Sequence, residues 1–224
     1  MFSRAGFHAN NQTMKCIILA NGEMAYTRSI SRIIRDAQLI ICADGGARHL
    51  KALDIVPHVM IGDFDSIHKN DLDFFQKKGV KMISYPPQKD QTDSELCIDW
   101  AIENNATDIT LLGMTGTRMD HTLANIFLLK KIAEKKIPAR IINEHNEIHA
   151  VIKDLQINGN IGELLSLVPV TQKVTGVTVQ GLEYPLENAV LHLGSSLGIS
   201  NVFKQTRACV SIKDGMLIVI KSRD

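Results

Sequence analysis

The sequence predicts an α/β fold, in which an N-terminal, mostly parallel sheet with flanking helices precedes a C-terminal all-β sandwich domain. Short apolar runs alternate with helix-like stretches up to about residue 145, as in consecutive βαβ units. Beyond about Asn146 this alternation stops, and short runs separated by glycines and turns take over. We therefore expect an α/β domain over 14–145, a β-sandwich domain over 146–224, and a disordered N-terminal extension over 1–13.

The α/β region is predicted to contain strands that are buried on both faces. The first run, Lys-Cys-Ile-Ile-Leu-Ala-Asn, is continuously apolar and is closed by Gly22, which suits a buried parallel strand. Strands are expected at 15–21, 39–43, 59–63, 81–85, 108–112 and 139–143. Helices are expected at 27–37, 47–53, 71–78 and 123–136, with a further helix that begins at a capping box formed by Thr92 and Glu95.

The second region is predicted to consist of short strands only. Apolar or alternating runs occur at 147–153, 164–170, 174–179, 189–193, 208–212 and 216–221. Lys213-Asp214-Gly215 resembles a hairpin turn between the last two runs. This pattern is typical of a sandwich or barrel.

Composition excludes several classes of protein. The 224 residues are 45% hydrophobic, and 25 basic against 24 acidic side chains leave a net charge of +1, so neither nucleic acid nor a membrane surface is an expected partner. No apolar run approaches the length of a membrane span. The four cysteines show no C-x-x-C pair and no zinc spacing, which favours a reducing cytoplasm.

The stretch Val-Met-Ile-Gly-Asp-Phe-Asp-Ser-Ile at 59–67 contains the first candidate site. In an extended segment Asp63 and Asp65 would point to the same side, because they are two residues apart. Magnesium prefers one or two carboxylates together with water and phosphate oxygens. The alternative is a polar turn in which Asp63, Asp65 and Ser66 cap the next helix.

Acidic residues also follow the other predicted strands. In a parallel α/β sheet, ligands bind beyond the carboxyl ends of the strands, and crowded carboxylates repel each other unless a cation is bound. We therefore predict a divalent metal at this edge, with scattered helix caps as the alternative. The acidic residues concerned are Asp44, Asp63, Asp65, Asp90, Asp93 and Asp120.

Glycines near the same edge could accommodate phosphate. Gly45-Gly46 and the loop 113–116 can bring backbone N–H groups close to an anion, and Arg118 adds a forked donor. The usual P-loop and dinucleotide-binding fingerprints are absent from the sequence. Glycines in such turns also occur for purely steric reasons, and that alternative remains open.

Taken together, the motifs resemble the thiamine pyrophosphokinase family. They are Asp-Gly-Gly-Ala at 44–47, Gly-Asp-Phe-Asp-Ser at 62–66, Asp-Gln-Thr-Asp-Ser-Glu at 90–95 and Gly-Thr-Arg-Met-Asp-His at 116–121. Later segments at 175–177, 181–186 and 198–201 resemble that family's second domain. The resemblance covers nearly everything from Met14 onward.

The resemblance implies an enzyme that moves the β,γ-diphosphate of ATP onto the hydroxyethyl group of thiamine and releases AMP. It implies a magnesium set of Asp44, Asp63, Asp65 and Asp93. It implies that the nucleotide and its phosphates are bound by Asp44, Gly45, Gly46, Asp90, Gln91, Thr92 and Arg118. The catalytic residues would be Asp65, Asp93, Arg118 and Asp120, with Asp120 near the thiamine hydroxyl as orienter or proton acceptor. The family works as a homodimer with thiamine between subunits, which assigns Tyr184, Ser200 and Asn201 to that site.

One position departs from the family pattern. Thr117 stands where the family usually has a glycine, and its Cβ would hinder a positive φ or a close backbone approach to phosphate.

Two other functions remain open: a diphosphokinase that acts on a pterin alcohol, and a non-catalytic regulator that binds nucleotide or thiamine diphosphate. Tyr184 has an equally ordinary explanation as a packed turn residue before Pro185.

Overall fold

The computed structural model describes residues 13–223, so almost all of the predicted extension 1–13 lies outside the described residues. Within 13–223, none of the helices is long and apolar enough to cross a lipid bilayer. The helices are α1 (Arg28–Arg35), α2 (Ala47–Ala52), α3 (Lys69–Lys77), α4 (Asp93–Glu103) and α5 (Met119–Glu134). The strands of the first region are β1 (Lys15–Leu19), β2 (Leu39–Ala43), β3 (Val59–Gly62), β4 (Lys81–Ser84), β5 (Asp108–Leu112) and β6 (Ala139–Ile142).

The second region contains strands only. They are β7 (Asn146–Val151), β8 (Asp154–Asn158), β9 (Leu164–Pro169), β10 (Lys173–Gln180), β11 (Leu186–His192), β12 (Asn201–Val202), β13 (Arg207–Ser211) and β14 (Leu217–Ser222). The sequence did not predict β8 or β12. β8 begins after a break of only two residues and carries three polar side chains in Asp-Leu-Gln-Ile-Asn, so its apolar signal is weak.

The strands form a ten-stranded sheet in the order β12-β9-β14-β7-β6-β5-β1-β2-β3-β4 and a four-stranded sheet in the order β11-β10-β13-β8. Strands β1 to β6 pair in parallel, whereas β7 joins β6 antiparallel, with Ile142 opposite Glu147. The predicted fold class is confirmed. The large sheet nevertheless continues through the predicted boundary at 145/146, which remains a prediction.

Both faces of the central parallel strands β1, β2, β3 and β5 are covered, which explains their largely apolar sequences. All of β2 is buried. On one face Ile18 and Ile41 pack with α4 and α5, through residues such as Leu96 and Leu129. On the other face α1, α2 and α3 cover the sheet. The four-stranded sheet packs on the antiparallel end of the large sheet around a separate core, which forms the expected sandwich.

Two local predictions need correction. Residues 213–215 do not form a hairpin, because β13 belongs to the small sheet and β14 to the large one, so this turn crosses between the two layers. The capping box is only half formed. Thr92 Oγ1 accepts a hydrogen bond from the Glu95 N–H at 3.3 Å, but the Glu95 carboxylate pairs instead with Lys131 at 3.0 Å.

Candidate active site

A cleft of about 700 Å³ lies at the carboxyl ends of the parallel strands. Its walls are the loops that follow β1 to β5, so the topology determines which side chains meet there. Of the residues predicted from the sequence, the cleft is lined by Asp44, Gly45, Asp63, Thr92, Asp93 and Arg118. Lining residues that the sequence did not single out include Asn21, Glu23, Arg48, Lys89 and Asn125.

Three carboxylates converge at the floor of the cleft. Asp44, Asp63 and Asp93 each place an oxygen within 4.8 Å of the other two. The close approach depends on Gly62, because a Cβ there would lie 2.9 Å from Asp44 Cβ and 3.3 Å from Asp93 Cγ. Asp44 itself has a φ of +32° at the start of a short 3₁₀ turn. The chain therefore accepts an unusual backbone conformation where the carboxylates meet.

The electrostatics of this group fit a divalent cation. Asp44 is only 7% exposed, and its buried Oδ1 accepts no hydrogen bond from residues 13–223. Burial raises the pKa of Asp44, and the charges of Asp93 and Asp63 raise it further. An unpartnered carboxylate oxygen among other carboxylates is a natural ligand for magnesium. The observed donors thus support the metal predicted from the sequence.

Lys89 supplies the positive charge at this group. Its Nζ lies 2.7 Å from Asp93 Oδ1 and 3.7 Å from Asp63 Oδ2, and its side chain is 14% exposed. Burial lowers the pKa of Lys89, but the contacts with Asp93 and Asp63 outweigh burial, so its pKa lies above its usual value. Lys89 was missed because it lies in an irregular loop, where a single lysine is usually a solvated side chain.

Asp65 is not one of the three converging carboxylates, and the extended conformation predicted for this stretch ends before it. The extended segment ends at Gly62, and Phe64 has a φ of +62°, so the chain turns between the two aspartates. The Asp65 N–H donates to Asp63 Oδ1 at 3.3 Å, and its exposed carboxylate accepts from the Ser66 hydroxyl at 3.0 Å. The assignment of Asp65 to the magnesium set remains a prediction.

The loop after β1 forms the opposite wall of the cleft. Gly22 donates to Gly113 O at 2.7 Å, and a Cβ on Gly22 would lie 2.3 Å from Thr115 O, so only glycine fits this contact. Arg48 donates to Asn21 O at 2.8 Å, and the buried His49 contacts Gly22 O through Nε2 at 2.8 Å. Residues of α2 therefore position this loop through its carbonyl groups.

Arg118 and Asp120 form an exposed ion pair at the mouth of the cleft. Arg118 Nη2 lies 2.6 Å from Asp120 Oδ2. The hydrogen bond from Arg118 is the main reason that the pKa of Asp120 falls to about 2. Asp120 does not line the cleft. Thr117 lines it and is not among the residues with positive φ in the described chain, so the conformation that would disfavour a Cβ is not used there.

Three further predicted residues lie behind or beside the cleft. Gly46 is buried in the turn after β2, where a Cβ would lie 2.5 Å from Leu19 O. Asp90 is exposed outside the cleft. The Gln91 amide donates to Asp99 Oδ2 at 2.8 Å and so points along α4 rather than into the cleft.

The residues assigned to thiamine lie in the second region, outside this cleft. Asn201 is 4% exposed, and its side chain bonds the Tyr184 N–H at 3.0 Å, the Tyr184 carbonyl at 2.7 Å and the Val202 N–H at 2.9 Å. Tyr184 is 67% exposed. Ser200 has a φ of +56°, and its N–H donates to Ser166 Oγ. The Asn201 side-chain amide therefore makes its hydrogen bonds to the backbone of the same chain.

Two family models match the two structural regions in order. Residues 30–141 match the thiamin pyrophosphokinase catalytic domain, and residues 150–217 match the thiamin pyrophosphokinase vitamin B1 binding domain. An α/β sheet with an acidic cleft, followed by a β-sandwich, is thus the architecture of a transferase of the kinase type. The chain belongs to the thiamin pyrophosphokinase family.

Individual relatives match over nearly the whole chain. Thiamine pyrophosphokinase of Bacillus subtilis is 34% identical in an alignment of 215 residues that covers 94% of this chain and 100% of the relative. Thiamin pyrophosphokinase 1 of Caenorhabditis elegans is 26% identical, over 92% of this chain and 88% of the relative. The crystal structure of the Bacillus subtilis thiamine pyrophosphokinase superimposes with a TM-score of 0.84 at 32% identity, covering 94% of this chain and 99% of that one.

Proposed function

We propose that this chain is a thiamine pyrophosphokinase, which transfers the β,γ-diphosphate of ATP to the hydroxyethyl group of thiamine and yields thiamine diphosphate and AMP. The observation that carries the proposal is the convergence of Asp44, Asp63 and Asp93 in the cleft of a chain from this family. The vitamin B1 binding model over 150–217 favours thiamine over a pterin alcohol as acceptor. A retained acidic cleft argues against a purely binding protein.

Magnesium is the cofactor in this proposal. Asp44, Asp63 and Asp93 would hold it, and the bound ion would neutralise phosphate charge during the transfer. Asp65 remains a proposed member of this set, because it belongs to the same turn as Asp63. In this scheme the protein mainly positions ATP and thiamine for an in-line reaction.

The phosphates of ATP are proposed to lie between the three carboxylates and Arg118. Arg118 is 70% exposed in its side chain and can exchange its bond to Asp120 for one to a phosphate oxygen. Asp120 is then free to orient the thiamine hydroxyl or accept its proton. Gly45 and Thr92 line the same cleft, which supports their assignment to nucleotide binding, while Gly46, Asp90 and Gln91 are assigned to this region by resemblance alone.

A homodimer with thiamine bound between subunits completes the proposal. Two exposed apolar surfaces support it. One is the α5 stripe of Met119, Leu123 and Phe127, which are 47–60% exposed and lie on one helix face beside the cleft. The other includes Leu197 and Ile199, which are exposed and directly precede Ser200 in the chain. An exposed aromatic ring such as that of Tyr184 suits the cationic thiazolium of thiamine.

A cytoplasmic location is also part of this proposal. All four cysteines are free thiols. Cys16, Cys42 and Cys97 are buried, and burial raises the pKa of Cys16 to about 12, so this thiol is protonated and unreactive. Free, buried thiols are consistent with a reducing compartment.

The decisive experiment is one chromatographic assay of the purified chain with ATP, magnesium and thiamine. We expect AMP and thiamine diphosphate in equal amounts, and no product after magnesium is removed with a chelator. ADP with thiamine monophosphate would refute the diphosphate transfer. If no product forms, pterin alcohols are tested next, followed by binding of nucleotide and thiamine diphosphate.

A pair of variants tests the magnesium set. We expect Asp65→Asn to abolish AMP release while leaving the fold intact, as judged by circular dichroism. Asp63→Asn is the matched change within the three converging carboxylates and should have the same effect. Unchanged activity of Asp65→Asn, with loss of activity in Asp63→Asn, would remove Asp65 from the set.

A further inference from the structure

Lys89 occupies the place of a cation among the carboxylates. Its ammonium touches Asp93 Oδ1 at 2.7 Å and lies 3.7 Å from Asp63 Oδ2. We propose that Lys89 is a positioning residue whose ammonium holds Asp63 and Asp93 together before the metal binds and is displaced by the divalent cation. This inference rests on the metal site of the proposed function.

The contacts of Lys89 support exchange rather than permanent pairing. The Lys89 ammonium and Asp93 Oδ1 are both buried, yet neither has a partner with good hydrogen-bond geometry among the described residues, despite their short separation. No other basic nitrogen of residues 13–223 lies within 4.0 Å of a carboxylate oxygen of Asp44, Asp63 or Asp93. A single flexible lysine therefore supplies the local positive charge, which a divalent cation would supply more fully.

The backbone position of Lys89 permits the exchange. It lies in the irregular loop between β4 and α4, and its N–H donates to Pro87 O at 3.2 Å. The side chain also lines the cleft shared with Arg118. A displaced ammonium can turn into this cleft without unfolding any helix or strand, where phosphate oxygens would be its new partners. Lys89 would then oppose metal binding alone and favour the binding of metal and polyphosphate together.

The test is a titration of the nucleotide-free protein with Mn²⁺, in which electron paramagnetic resonance measures the free ion. We expect Lys89→Met to bind Mn²⁺ at least about tenfold more tightly than the unchanged chain, because the ion no longer displaces a charge from the same oxygens. Lys89→Arg keeps the charge and should bind Mn²⁺ about as weakly as the unchanged chain. Lys131→Met is the matched control. Lys131 also bridges two carboxylates, those of Glu95 and Asp99, but lies outside the cleft, so the affinity for Mn²⁺ should not change.

Thermal unfolding of the same variants gives a second measurement. Without metal, Lys89→Met should unfold at a lower temperature, because three carboxylates are left without a cation, and Mn²⁺ should raise its midpoint more than that of the unchanged chain. If Lys89→Met does not fold without metal, the comparison is made with Lys89→Gln purified in Mn²⁺ and then dialysed.

The possible results separate this inference from the proposed function. Unchanged or weaker Mn²⁺ binding by Lys89→Met, with clear binding by the unchanged chain, would overturn the role of Lys89 and leave the metal site in place. If the unchanged chain and all variants bind no Mn²⁺ at millimolar concentration, the metal site itself fails, and the role of Lys89 fails with it.

Discussion

Replacing Asn201 with alanine tests whether this amide acts on the protein or on the substrate. The side chain is 4% exposed and makes three hydrogen bonds, to the N–H and carbonyl of Tyr184 and to the N–H of Val202. At about 0.5–1.5 kcal/mol for each of the three net hydrogen bonds, we expect Asn201→Ala to lower the free energy of unfolding by about 1.5–4.5 kcal/mol. The segment carrying Tyr184 would then be held to β12 only through the backbone, where the Glu183 N–H donates to Val202 O at 2.9 Å.

The assay is urea unfolding monitored by circular dichroism. A shift in the midpoint urea concentration, with an unchanged slope of unfolding free energy against urea, reports a change in stability alone. Ser200→Ala is the control. Ser200 was assigned to the same substrate site, but its side chain is exposed, so its removal should change the free energy of unfolding by less than about 0.5 kcal/mol. If Asn201→Ala is as stable as the unchanged chain but has a raised KM for thiamine, the amide binds substrate directly and the structural role is wrong.

Three further predictions concern the cleft and the junction between the regions. Gly62→Ala should lower the free energy of unfolding by about 1–3 kcal/mol and weaken Mn²⁺ binding, since its Cβ would lie 2.9 Å from Asp44 Cβ; unchanged Mn²⁺ affinity in a titration would contradict this reasoning. Burial would raise the pKa of Glu147, but hydrogen bonds from His149 and Lys221 lower it to about 2, below the unfolded value of 4.5. The ionised Glu147 therefore stabilises the fold by at most ~3 kcal/mol, fully when the pH is above its unfolded pKa, and this contribution is lost as the pH falls from about 5 to 2. In Glu147→Gln the free energy of unfolding should therefore depend less on pH between about 5 and 2. Thr117→Gly should change kcat/KM less than about threefold, because the turn does not use a positive φ at this position; a tenfold gain would show that the Cβ hinders phosphate.

The parts of the fold that follow from simple periodicity could be predicted. Continuous apolar runs such as 39–43 identify strands buried on both faces, and parallel strands place the residues after them at one edge. This reasoning predicts that Asp44, Asp63 and Asp93 lie near one another, as they do in the structure. The sandwich was predicted from a different pattern, namely short strand-like runs separated by turns.

Features that depend on a single backbone angle or a long side chain could not be predicted. The left-handed conformation of Phe64 ends the extended segment between Asp63 and Asp65, and no local residue pattern requires it. Lys89 reaches the carboxylates through a flexible side chain from an irregular loop, which periodicity does not describe. The sequence also did not predict that β13 and β14 belong to different sheets, because a turn sequence such as that at 213–215 suits both a hairpin and a turn that crosses between sheets.

The position of β14 has a consequence for how the chain is made. β14 lies between β7 and β9 in the large sheet, although it follows both of them in the sequence. While the ribosome is still adding residues before Leu217, β7 has β6 on one side only, and β9 lacks its link to the parallel strands. The growing chain thus exposes two unpaired strand edges, which are sites for pairing with other chains. The addition of Leu217–Ser222 joins β9 to β7 and so to the parallel strands, so the large sheet cannot be completed before these residues have been synthesised.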